Sequence, residues 1–370
     1  MQVLICADQL HQRVSGGTGV YLRATLRAAK SLSGSGGGPN WVLYGSRPSG
    51  NTKGEIADMG FKFHYSHFAN PIAQKLWDLG LDRPPRRYHH YHSFSMGGPR
   101  PFPRNPASPT QSYAVYDALW ESQADTYPPS GRKWHRRRFA QIRDEADKIV
   151  TISAESKETL ISLGVDSNRL EVIPPGSDHL PNADLEAGLR LLKNLGIQGD
   201  FLISVSTLEP RKNLKRVIAA FCAVAREFGD PMSLVIVGPD GWGGSIKPEK
   251  NVYLVGRVAE SVLSALYQKA VAMIYVPLEE GFGLPVLEAN AACLPVVSSK
   301  VPSATYENTL MVDPRSETSI AEGMRRVVAE DQLRSSLVTQ GLMTANEFSW
   351  AETYRAHQRL FAKLASTGSE

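Results

Sequence analysis

The chain has 370 residues, of which 42% are hydrophobic and 21% are charged. This length predicts about two domains, and the balance is that of an ordinary soluble protein with enough apolar residues for two cores. The formal net charge of +4 is too small to indicate nucleic acid as a partner, but it suits an anionic substrate or a membrane surface.

The cysteines and the apolar runs bear on location. Cys6, Cys222 and Cys293 lie far apart without metal-type spacing, which predicts a reducing, cytoplasmic environment and unpaired, mostly buried thiols. The first apolar run, at 3–7, follows no basic region with a long apolar stretch, so we expect no signal peptide. No apolar run approaches the roughly 18 to 20 residues of a spanning helix. We expect a cytoplasmic protein, and the inner face of the membrane is a candidate place of association.

In the first half of the chain, short apolar runs alternate with helical patterns, which is typical of doubly wound α/β structure. Residues 3–7 are predicted to form a buried strand, followed by a glycine-containing loop at 15–19 and a helix at about 20–30. Further strands are predicted at 41–44, 112–116 and 148–152. The segment 84–110 is rich in Pro, Gly, Arg and His, and we predict a long surface excursion there.

The second half repeats this alternation. Strands are predicted at 201–205, 234–238, 252–254, 273–276 and 295–298. Helices are predicted at 182–194, 214–228, 285–292 and 350–365. The pattern indicates two Rossmann-like halves joined near 177–198, and the last helix is amphipathic and can pack on either half.

The strongest local signal is the segment 280–288, which reads Glu-Gly-Phe-Gly-Leu-Pro-Val-Leu-Glu after a predicted strand. The glycines permit tight turns, and Pro285 suits the first turn of a helix. Such a helix directs N–H groups and its dipole at a ligand, which favours phosphate binding. Glu280 and Glu288 repel phosphate and are strong acceptors for sugar hydroxyls. The alternative is a Gly-Pro turn with one solvated and one helix-capping glutamate.

A second signal is Arg211 with Lys212, in the segment that follows the strand at 201–205. Open α/β sheets bind ligands at the carboxyl ends of their strands. An arginine can bind a diphosphate in bidentate fashion, and a lysine adds a point charge. The alternative is a solvated basic loop, as most charge pairs are.

In these segments the chain resembles the large retaining GT-B glycosyltransferase family (family 4-like, group 1) that includes bacterial mannosyltransferases and sucrose synthase. The resemblance covers nearly the whole chain. It is carried by motifs at 172–176, 208–221, 237–238, 256–258, 280–295 and 348–350. It implies a GT-B fold of class α/β, in which two Rossmann-like domains have parallel sheets facing a central cleft. The N-terminal domain, 1–176 completed by the helix 351–370, would bind the acceptor. The C-terminal domain, 177–350, would bind a nucleotide sugar.

The resemblance also implies roles for individual residues. Arg211 and Lys212 would hold the donor diphosphate and stabilise the leaving nucleotide as charge develops. Glu280 would contact hydroxyls of the transferred sugar, and Glu288 the ribose. Backbone around Val258 would contact the base. The other implied donor contacts are Phe282, Gly283 and Leu284, with Gly16 and Gly17 in a glycine-rich N-terminal loop.

The sequence departs from the family at the end of the strand predicted at 112–116. The family has a histidine before an aspartate there, whereas this chain has Tyr116 before Asp117. A tyrosine hydroxyl can still donate a hydrogen bond to the donor sugar, so we keep both residues as catalytic candidates. A packed aromatic at a strand end is the alternative. Cys293 stands where a helix-ending glycine is common, and we expect a packed thiol there.

The resemblance implies a reaction that retains the anomeric configuration through same-face attack assisted by the leaving phosphate. No metal and no cofactor are expected, and the sequence has no Asp-x-Asp pair. We favour a GDP-sugar, of mannosyl type, over a UDP-sugar, and a glycan or lipid-linked acceptor bound near 84–130. The sequence leaves the oligomeric state open. A nucleotide-sugar epimerase and a non-catalytic nucleotide-sugar-binding subunit are the alternatives, the second because of Tyr116.

Two further segments attract attention. The segment 132–139 is basic with interleaved aromatics, and as a helix it fits an anionic membrane with Trp134 and Phe139 dipping inward. We favour the alternative, which is a solvated face whose charges pair with acidic residues at 144–147. The segment 88–92 contains three histidines, and we favour a surface loop over an acceptor contact and over a metal site.

Overall fold

The structure is a computed structural model that describes residues 2–11, 16–32, 40–47, 52–103, 108–228, 232–242, 246–247 and 249–367. The chain divides into two compact units. Unit 1 consists of Met1–Ser122, Pro129–Pro175 and Trp350–Glu370, and unit 2 consists of Gln123–Pro128 and Gly176–Ser349. The sequence division had assigned the short segment Gln123–Pro128 to the N-terminal half.

Each unit contains one parallel sheet. The strands of unit 1 are β1 Gln2–Cys6, β2 Asn40–Arg47, β3 Phe63–Ala69, β4 His90–Ser93, β5 Thr110–Ala114, β6 Lys148–Thr151 and β7 Leu170–Val172. The strands of unit 2 are β8 Phe201–Val205, β9 Ser233–Val237, β10 Val252–Gly256, β11 Ala272–Tyr275, β12 Val296–Ser298 and β13 Leu310–Met311. The first sheet has the order β3-β2-β1-β4-β5-β6-β7, and the second has the order β10-β9-β8-β11-β12-β13.

Helices accompany both sheets. Those of the first part of the chain are α1 Gly16–Leu32, α2 Thr52–Met59, α3 Ile72–Leu79, α4 Leu119–Ser122, α5 Pro129–Glu145 and α6 Ala154–Ser162. Those that follow are α7 Leu185–Asn194, α8 Leu214–Val224, α9 Glu260–Lys269, α10 Leu284–Ala291, α11 Glu317–Ala329, α12 Asp331–Asn346 and α13 Trp350–Thr367. Over the described part of the chain, no helix is long and apolar enough to cross a membrane.

The two sheets share a strand order that determines where ligands bind. In the first sheet β1 lies between β2 and β4, and in the second sheet β8 lies between β9 and β11. Such a reversal leaves a crevice outside the carboxyl ends of the two central strands, where open α/β sheets bind ligands. These central pairs are β1 with β4 and β8 with β11. The predicted class, two Rossmann-like α/β domains with parallel sheets, is confirmed.

The sheet of unit 2 is buried on both faces, which explains its nearly continuous apolar strands. Successive side chains of a strand point to opposite faces. In β9, Leu234 and Ile236 pack in the core on one side, where α8 and α11 cover the sheet. Val235 and Val237 pack in the core on the other side with residues of α9 and α10. The central strands are thus fixed from both sides, which holds their carboxyl ends in place.

Helix α13 packs in unit 1 although it follows unit 2 in the chain. Its aromatic side chains meet those of α1, β2 and the end of β4. Ring centroids lie 5.3 Å apart for Trp350 and Tyr21, and 4.9 Å apart for His357 and Phe94. His357 Nε2 is also 3.0 Å from the Tyr21 hydroxyl. The predicted helical amphipathicity of 350–365 thus reflects burial against unit 1.

The surface excursion predicted for 84–110 is wrong, because this segment contains the buried strand β4. His90 and His92 are fully buried, and both contact the Ser112 hydroxyl, His90 through Nε2 at 2.8 Å and His92 through Nδ1 at 2.7 Å. Burial lowers the pKa of His90 to about 3 and that of His92 well below its usual range. Both imidazoles are therefore neutral parts of the core near neutral pH.

Two other expectations need correction. The loop predicted at 15–19 is wrong from Gly16 onward, because α1 begins at that residue, while Ser15 lies outside the described residues.

Of the three free thiols only Cys6 is buried, and Cys222 and Cys293 are exposed, so the expectation of mostly buried thiols is wrong. Cys293 has φ 56°, the left-handed conformation that explains why glycine is common at such a helix end.

Candidate functional site

The site in unit 2 begins with the turn between β8 and α8. Pro210–Lys212 forms a short 3-10 helix, and Asn213 ends it in the left-handed conformation with φ 60°. The Asn213 amide donates to the carbonyl of Val276 at 3.1 Å and to that of Pro314 at 2.7 Å. The Leu278 N–H donates to the Arg211 carbonyl at 2.8 Å. The turn carrying the two basic residues is therefore fastened to the segment that follows β11.

The charged side chains converge at this point. Arg211 Nη1 lies 2.7 Å from Glu280 Oε1, and Arg211 Nε lies 2.9 Å from Glu209 Oε2. The Lys212 ammonium donates to the same Glu280 oxygen and, at 3.0 Å, to the Tyr275 hydroxyl. Two cations and two carboxylates thus form one cluster at the carboxyl ends of β8 and β11, the two central strands. The structure brings together the predicted Arg211, Lys212 and Glu280.

Burial and charge act against each other in this cluster. Burial alone raises the pKa of Glu280, but Lys212 and Arg211 outweigh it, and the net shift of the pKa is downward. Burial lowers the pKa of Lys212, while Glu280 opposes that shift. Burial also raises the pKa of Glu209 against the opposing effect of Arg211. Glu280 is therefore an ionised carboxylate held by two cations in a largely dry environment.

The turn before α10 is built as the sequence indicates. Gly283 is the N-cap of α10 in the left-handed conformation, with φ 94°, and Pro285 occupies the first turn. A Cβ at Gly283 would meet Ser303 Oγ at 2.6 Å and Val301 Cγ2 at 2.8 Å. The Ser303 N–H donates to the Phe282 carbonyl at 2.9 Å, and its hydroxyl donates to the Gly283 carbonyl at 2.8 Å. Glycine is required here by both conformation and space, and it starts α10 beside Glu280.

A second close approach fixes the loop after β8. Gly238 follows β9, and a Cβ there would lie 1.9 Å from the Ser206 carbonyl oxygen. The Gly238 N–H donates to the Gly256 carbonyl at 2.9 Å, at the end of β10. The half-buried Val258, predicted to lie near the base, follows two residues later. The carboxyl ends of β8, β9 and β10 therefore form a continuous rim in unit 2.

Glu288 occupies a separate buried site on α10. Its Oε2 accepts from the Tyr267 hydroxyl at 2.9 Å, and its Oε1 lies 3.1 Å from His179 Nε2. Both carboxylate oxygens thus have protein partners, and His179 and Glu288 are almost fully buried. Four residues of these two sites were not predicted from the sequence, namely His179, Tyr267, Glu209 and Tyr275. His179, Tyr267 and Tyr275 lie outside the motifs, whereas Glu209 lies within 208–221 and directly precedes the basic turn.

The predicted residues of unit 1 are found near strand ends. Tyr116 donates its hydroxyl hydrogen to the Phe94 carbonyl at 2.8 Å, and burial raises its pKa well above the usual range. Asp117 Oδ1 accepts from the Leu119 N–H at 3.2 Å, at the start of α4. Gly16 and Gly17 form the exposed first residues of α1, and neither has an atom within 4 Å of the position of a Cβ. Unit 1 therefore holds Tyr116 as a packed aromatic with an engaged hydroxyl.

The basic segment 132–139 lies in α5, and the membrane-facing arrangement considered for it does not fit the burial of Phe139. Phe139 is buried in the protein 5.9 Å from the Trp120 ring, and Trp134 donates to Asp78 at 2.8 Å. Arg138 is buried, and its guanidinium binds the carbonyls of the 96–98 loop. The charges of the segment also pair with other elements, as in the contact of Arg136 with Glu121. Among the described residues, no group of three or more His, Cys, Asp or Glu is placed to hold a metal.

The comparison with protein families agrees with this geometry. Residues 193–342 match the family described as Glycosyl transferases group 1. This range includes the Arg211–Lys212 turn, Glu280 and α10. The chain therefore contains a domain of this family, and its two parallel-sheet units have the fold of GT-B glycosyltransferases.

Individual relatives are more distant. The chain is 28% identical over 240 residues to the O-antigen chain mannosyltransferase B of Escherichia coli, covering 60% of this chain and 63% of that protein. It is 29% identical over 238 residues to the D-inositol 3-phosphate glycosyltransferase of Acidothermus cellulolyticus, covering 58% of this chain and 52% of that protein. The matches thus span less than two thirds of either relative.

Solved structures match over nearly the full length. The crystal structure of Anabaena HepE in complex with UDP and glucose superimposes with a TM-score of 0.73 at 15% identity. The match covers 98% of this chain and 100% of that chain. At this identity the likeness establishes the fold.

Proposed function

We propose that the protein transfers a hexosyl group, of mannosyl type, from a nucleotide diphosphate sugar to a glycan or lipid-linked acceptor. The observation that carries the proposal is the cluster of Arg211, Lys212 and Glu280 at the crevice of the second sheet. Cations that face a carboxylate at this position suit a ligand that presents a diphosphate and sugar hydroxyls together. The family match over residues 193–342 supports the same reading.

The cluster suggests an exchange of partners on donor binding. In the structure, Glu280 and Glu209 together balance the charges of Arg211 and Lys212. A diphosphate carries more negative charge than one carboxylate, so it attracts both cations more strongly. Glu280 Oε1 is then released to accept hydrogen bonds from hydroxyls of the transferred sugar. Glu280 thus holds the two cations in position before the donor binds, and it binds the transferred sugar afterwards.

We propose that the transfer proceeds with retention and without a metal. The acceptor hydroxyl attacks the anomeric carbon on the face from which the nucleotide departs, and its proton passes to an oxygen of the leaving phosphate. Arg211 and Lys212 stabilise the charge that develops on that phosphate, the role that a cation has in metal-dependent transferases. The amide groups and dipole of α10 add positive potential next to Glu280.

For the donor we favour a GDP-sugar over a UDP-sugar. Support for a mannosyl donor comes from the O-antigen chain mannosyltransferase B, which is 28% identical over 240 residues. The UDP complex of HepE supports nucleotide binding by this fold, and it keeps UDP-sugars as the second choice. The acceptor is assigned to unit 1, and no cofactor is included in the proposal.

A non-catalytic nucleotide-sugar-binding protein is the second candidate, because of Tyr116. Its hydroxyl hydrogen is engaged with the Phe94 carbonyl. While this contact lasts, the Tyr116 oxygen can accept a hydrogen bond from the transferred sugar but cannot donate one to it. Turnover with an acceptor separates this candidate from the first. Interconversion of the sugar without any acceptor would instead indicate an epimerase.

The test is a calorimetric and thermal-shift screen of the protein against GDP, UDP, ADP and dTDP and their common sugars, without added metal. We expect one nucleotide to stabilise the protein selectively, and we expect Arg211→Ala and Lys212→Ala to remove that stabilisation. Lys215→Ala is the matched control, because Lys215 is exposed on the neighbouring turn of α8. Absence of binding by every nucleotide would overturn the proposal.

A further inference from the structure

An exposed apolar stripe runs along α3 in unit 1. Ala73 and Trp77 face inward and are fully buried. On the opposite side Ile72 is 56% exposed and Leu79 is 63% exposed, seven residues apart and therefore on one face of the helix. Leu81, in the turn that follows, is 73% exposed. A helix that shows large apolar side chains to solvent over two turns has an unpartnered face.

Basic side chains border this stripe. Lys75 lies on the same face, three residues after Ile72 and four before Leu79, and it is exposed. At the C-terminal end of α3, the position of a Cβ on Gly80 is 3.3 Å from Arg83 Nη2 and 3.5 Å from Arg100 Cδ. Arg83 Nε donates to the Gly80 carbonyl at 3.2 Å, so the arginine is fixed between Leu79 and Leu81.

Acidic side chains in this region are turned into the protein. Asp78 accepts from the Trp134 indole of α5 at 2.8 Å and lies 3.6 Å from the Arg137 guanidinium. Asp82 accepts from the Trp77 indole at 3.0 Å and from the Ser66 hydroxyl. Residues 61–100 contain six Lys and Arg against two Asp and Glu, a formal charge of +4. Because the whole chain also carries +4, the rest of the sequence has no net charge, and the segment that contains α3 is more basic than the chain as a whole.

We infer that the stripe of Ile72, Leu79 and Leu81, with its basic border, docks on an anionic lipid surface. An apolar face flanked by Lys and Arg is the pattern of a helix that lies in a membrane interface, where leucines enter the acyl boundary and cations meet lipid phosphates. The charge complementarity favours this occupant over a second copy of the chain, because two copies would bring like charges together. The inference moves membrane contact from α5 to α3.

The surface would bring unit 1 to a membrane. This inference rests on the proposed function in one respect only, which is that membrane contact would give the enzyme access to a lipid-linked acceptor. The contact itself depends on residues 72–100 and not on the charged cluster of unit 2. Vesicle binding and nucleotide binding therefore test the two proposals separately.

The experiment is co-sedimentation of the full chain with vesicles of phosphatidylcholine alone and with about one third phosphatidylglycerol. We expect binding to the anionic vesicles that weakens with salt. The double variant Leu79→Glu/Leu81→Glu should lower the partition coefficient about tenfold or more, because it removes the inserted side chains and adds negative charge. Lys75→Gln/Arg83→Gln should lower it about 25-fold, from about fivefold for each basic residue of the border.

Matched controls separate this patch from general surface effects. Met343→Glu alters an apolar side chain that is 60% exposed on α12 in unit 2, and Lys193→Gln alters an exposed lysine of α7. Both controls should bind vesicles as the wild-type chain does. Circular dichroism and nucleotide binding of the Leu79→Glu/Leu81→Glu variant should be unchanged, because neither residue is buried.

Three outcomes would overturn the inference. One is equal sedimentation with neutral and anionic vesicles, and another is unchanged binding by the Leu79→Glu/Leu81→Glu variant. The third is a concentration-dependent dimer that this variant converts to a monomer, which would assign the stripe to self-association. If vesicles bind and no nucleotide does, the inference survives and the proposed transferase function fails.

Discussion

Lys212 and Glu280, 68 residues apart in the chain, form an ion pair in which each side chain is only 10% exposed. A buried charge that loses its partner is costly, whereas replacing both partners is much less so. The pair therefore has an effect on the stability of the protein as well as a proposed role with the donor.

The effect on stability is measurable by a double-mutant cycle. Lys212→Met should lower the free energy of unfolding by about 3 kcal/mol, because Glu280 then keeps only Arg211 as a cationic partner. Glu280→Gln combined with Lys212→Met should cost less than the sum of the single changes, by about 1 kcal/mol or more. Urea denaturation gives these values, and Lys215→Met on α8 is the exposed control. Additive effects would contradict the coupling.

The exchange of partners predicts a separation of binding from transfer. Glu280→Gln removes the carboxylate charge that competes with a diphosphate for Arg211 and Lys212, so a free nucleoside diphosphate should bind as tightly as before or more tightly. Transfer should fall about 100-fold or more, because the carboxylate no longer binds the transferred sugar. Calorimetry with the nucleotide and a transfer assay with the sugar donor measure the two effects. Weaker nucleotide binding by this variant would rule out the exchange.

Gly283 provides a test of the turn before α10. Gly283→Ala forces a left-handed conformation on alanine and a contact of 2.6 Å with Ser303 Oγ. We expect a loss of about 2 to 4 kcal/mol in the free energy of unfolding, measured by denaturant titration. Gly131→Ala in α5 is the matched control, because Gly131 has no neighbour within 4 Å of a Cβ position. That control should gain about 0.5 to 1 kcal/mol, and equal effects of the two substitutions would refute the argument.

The buried histidines predict how stability depends on pH. Burial lowers the pKa of His90 and of His357 to about 3, whereas an unfolded chain has histidine pKa values near 6.5. Between these values the unfolded state binds more protons, so the stabilisation is complete above about pH 6.5 and is lost as the pH falls toward 3. Each histidine should contribute up to about 1.4 kcal/mol per pH unit.

Urea titrations between pH 4.5 and 7.5 measure that slope. His357→Gln keeps a group that can hydrogen-bond to the Tyr21 hydroxyl and removes one titrating site, so its slope should be smaller by one histidine. Met343→Gln, at an exposed position of α12, removes no titrating group, so it is the control and should leave the slope unchanged. A wild-type stability that is flat below pH 6.5 would contradict the prediction.

The candidate site was partly predictable, because its local features follow from local rules. The glycines and Pro285 of 280–288 constrain the backbone wherever they occur, so the turn and the start of α10 could be placed within a residue. The sequence did not indicate that Lys212 and Arg211 bind the Glu280 carboxylate, because the number of residues between two positions does not give their distance in space. His179 was missed for the same reason. It is a lone histidine, and only the fold brings it to Glu288.

Strand β4 was missed because histidines replace the aliphatic residues that identify a buried strand. A weak signal was nevertheless present in the neighbouring strand. In the parallel register, His90 lies opposite Thr110 and His92 opposite Ser112. The hydroxyls thus recur with the same spacing of two as the imidazoles that they bind. When polar residues recur at every second position in two neighbouring segments, the segments can pair as strands whose buried polar side chains hydrogen-bond to each other.

The position of α13 in unit 1 bears on the order in which the chain folds during synthesis. Residues 176–349 emerge from the ribosome before Trp350–Thr367, so unit 2 has its whole sequence while unit 1 still lacks a helix. Until that helix arrives, the aromatic side chains of Tyr21, Trp41 and Phe94 have no cover on that side. The half that is synthesised first is therefore completed last, and during that interval it presents the kind of surface that chaperones bind.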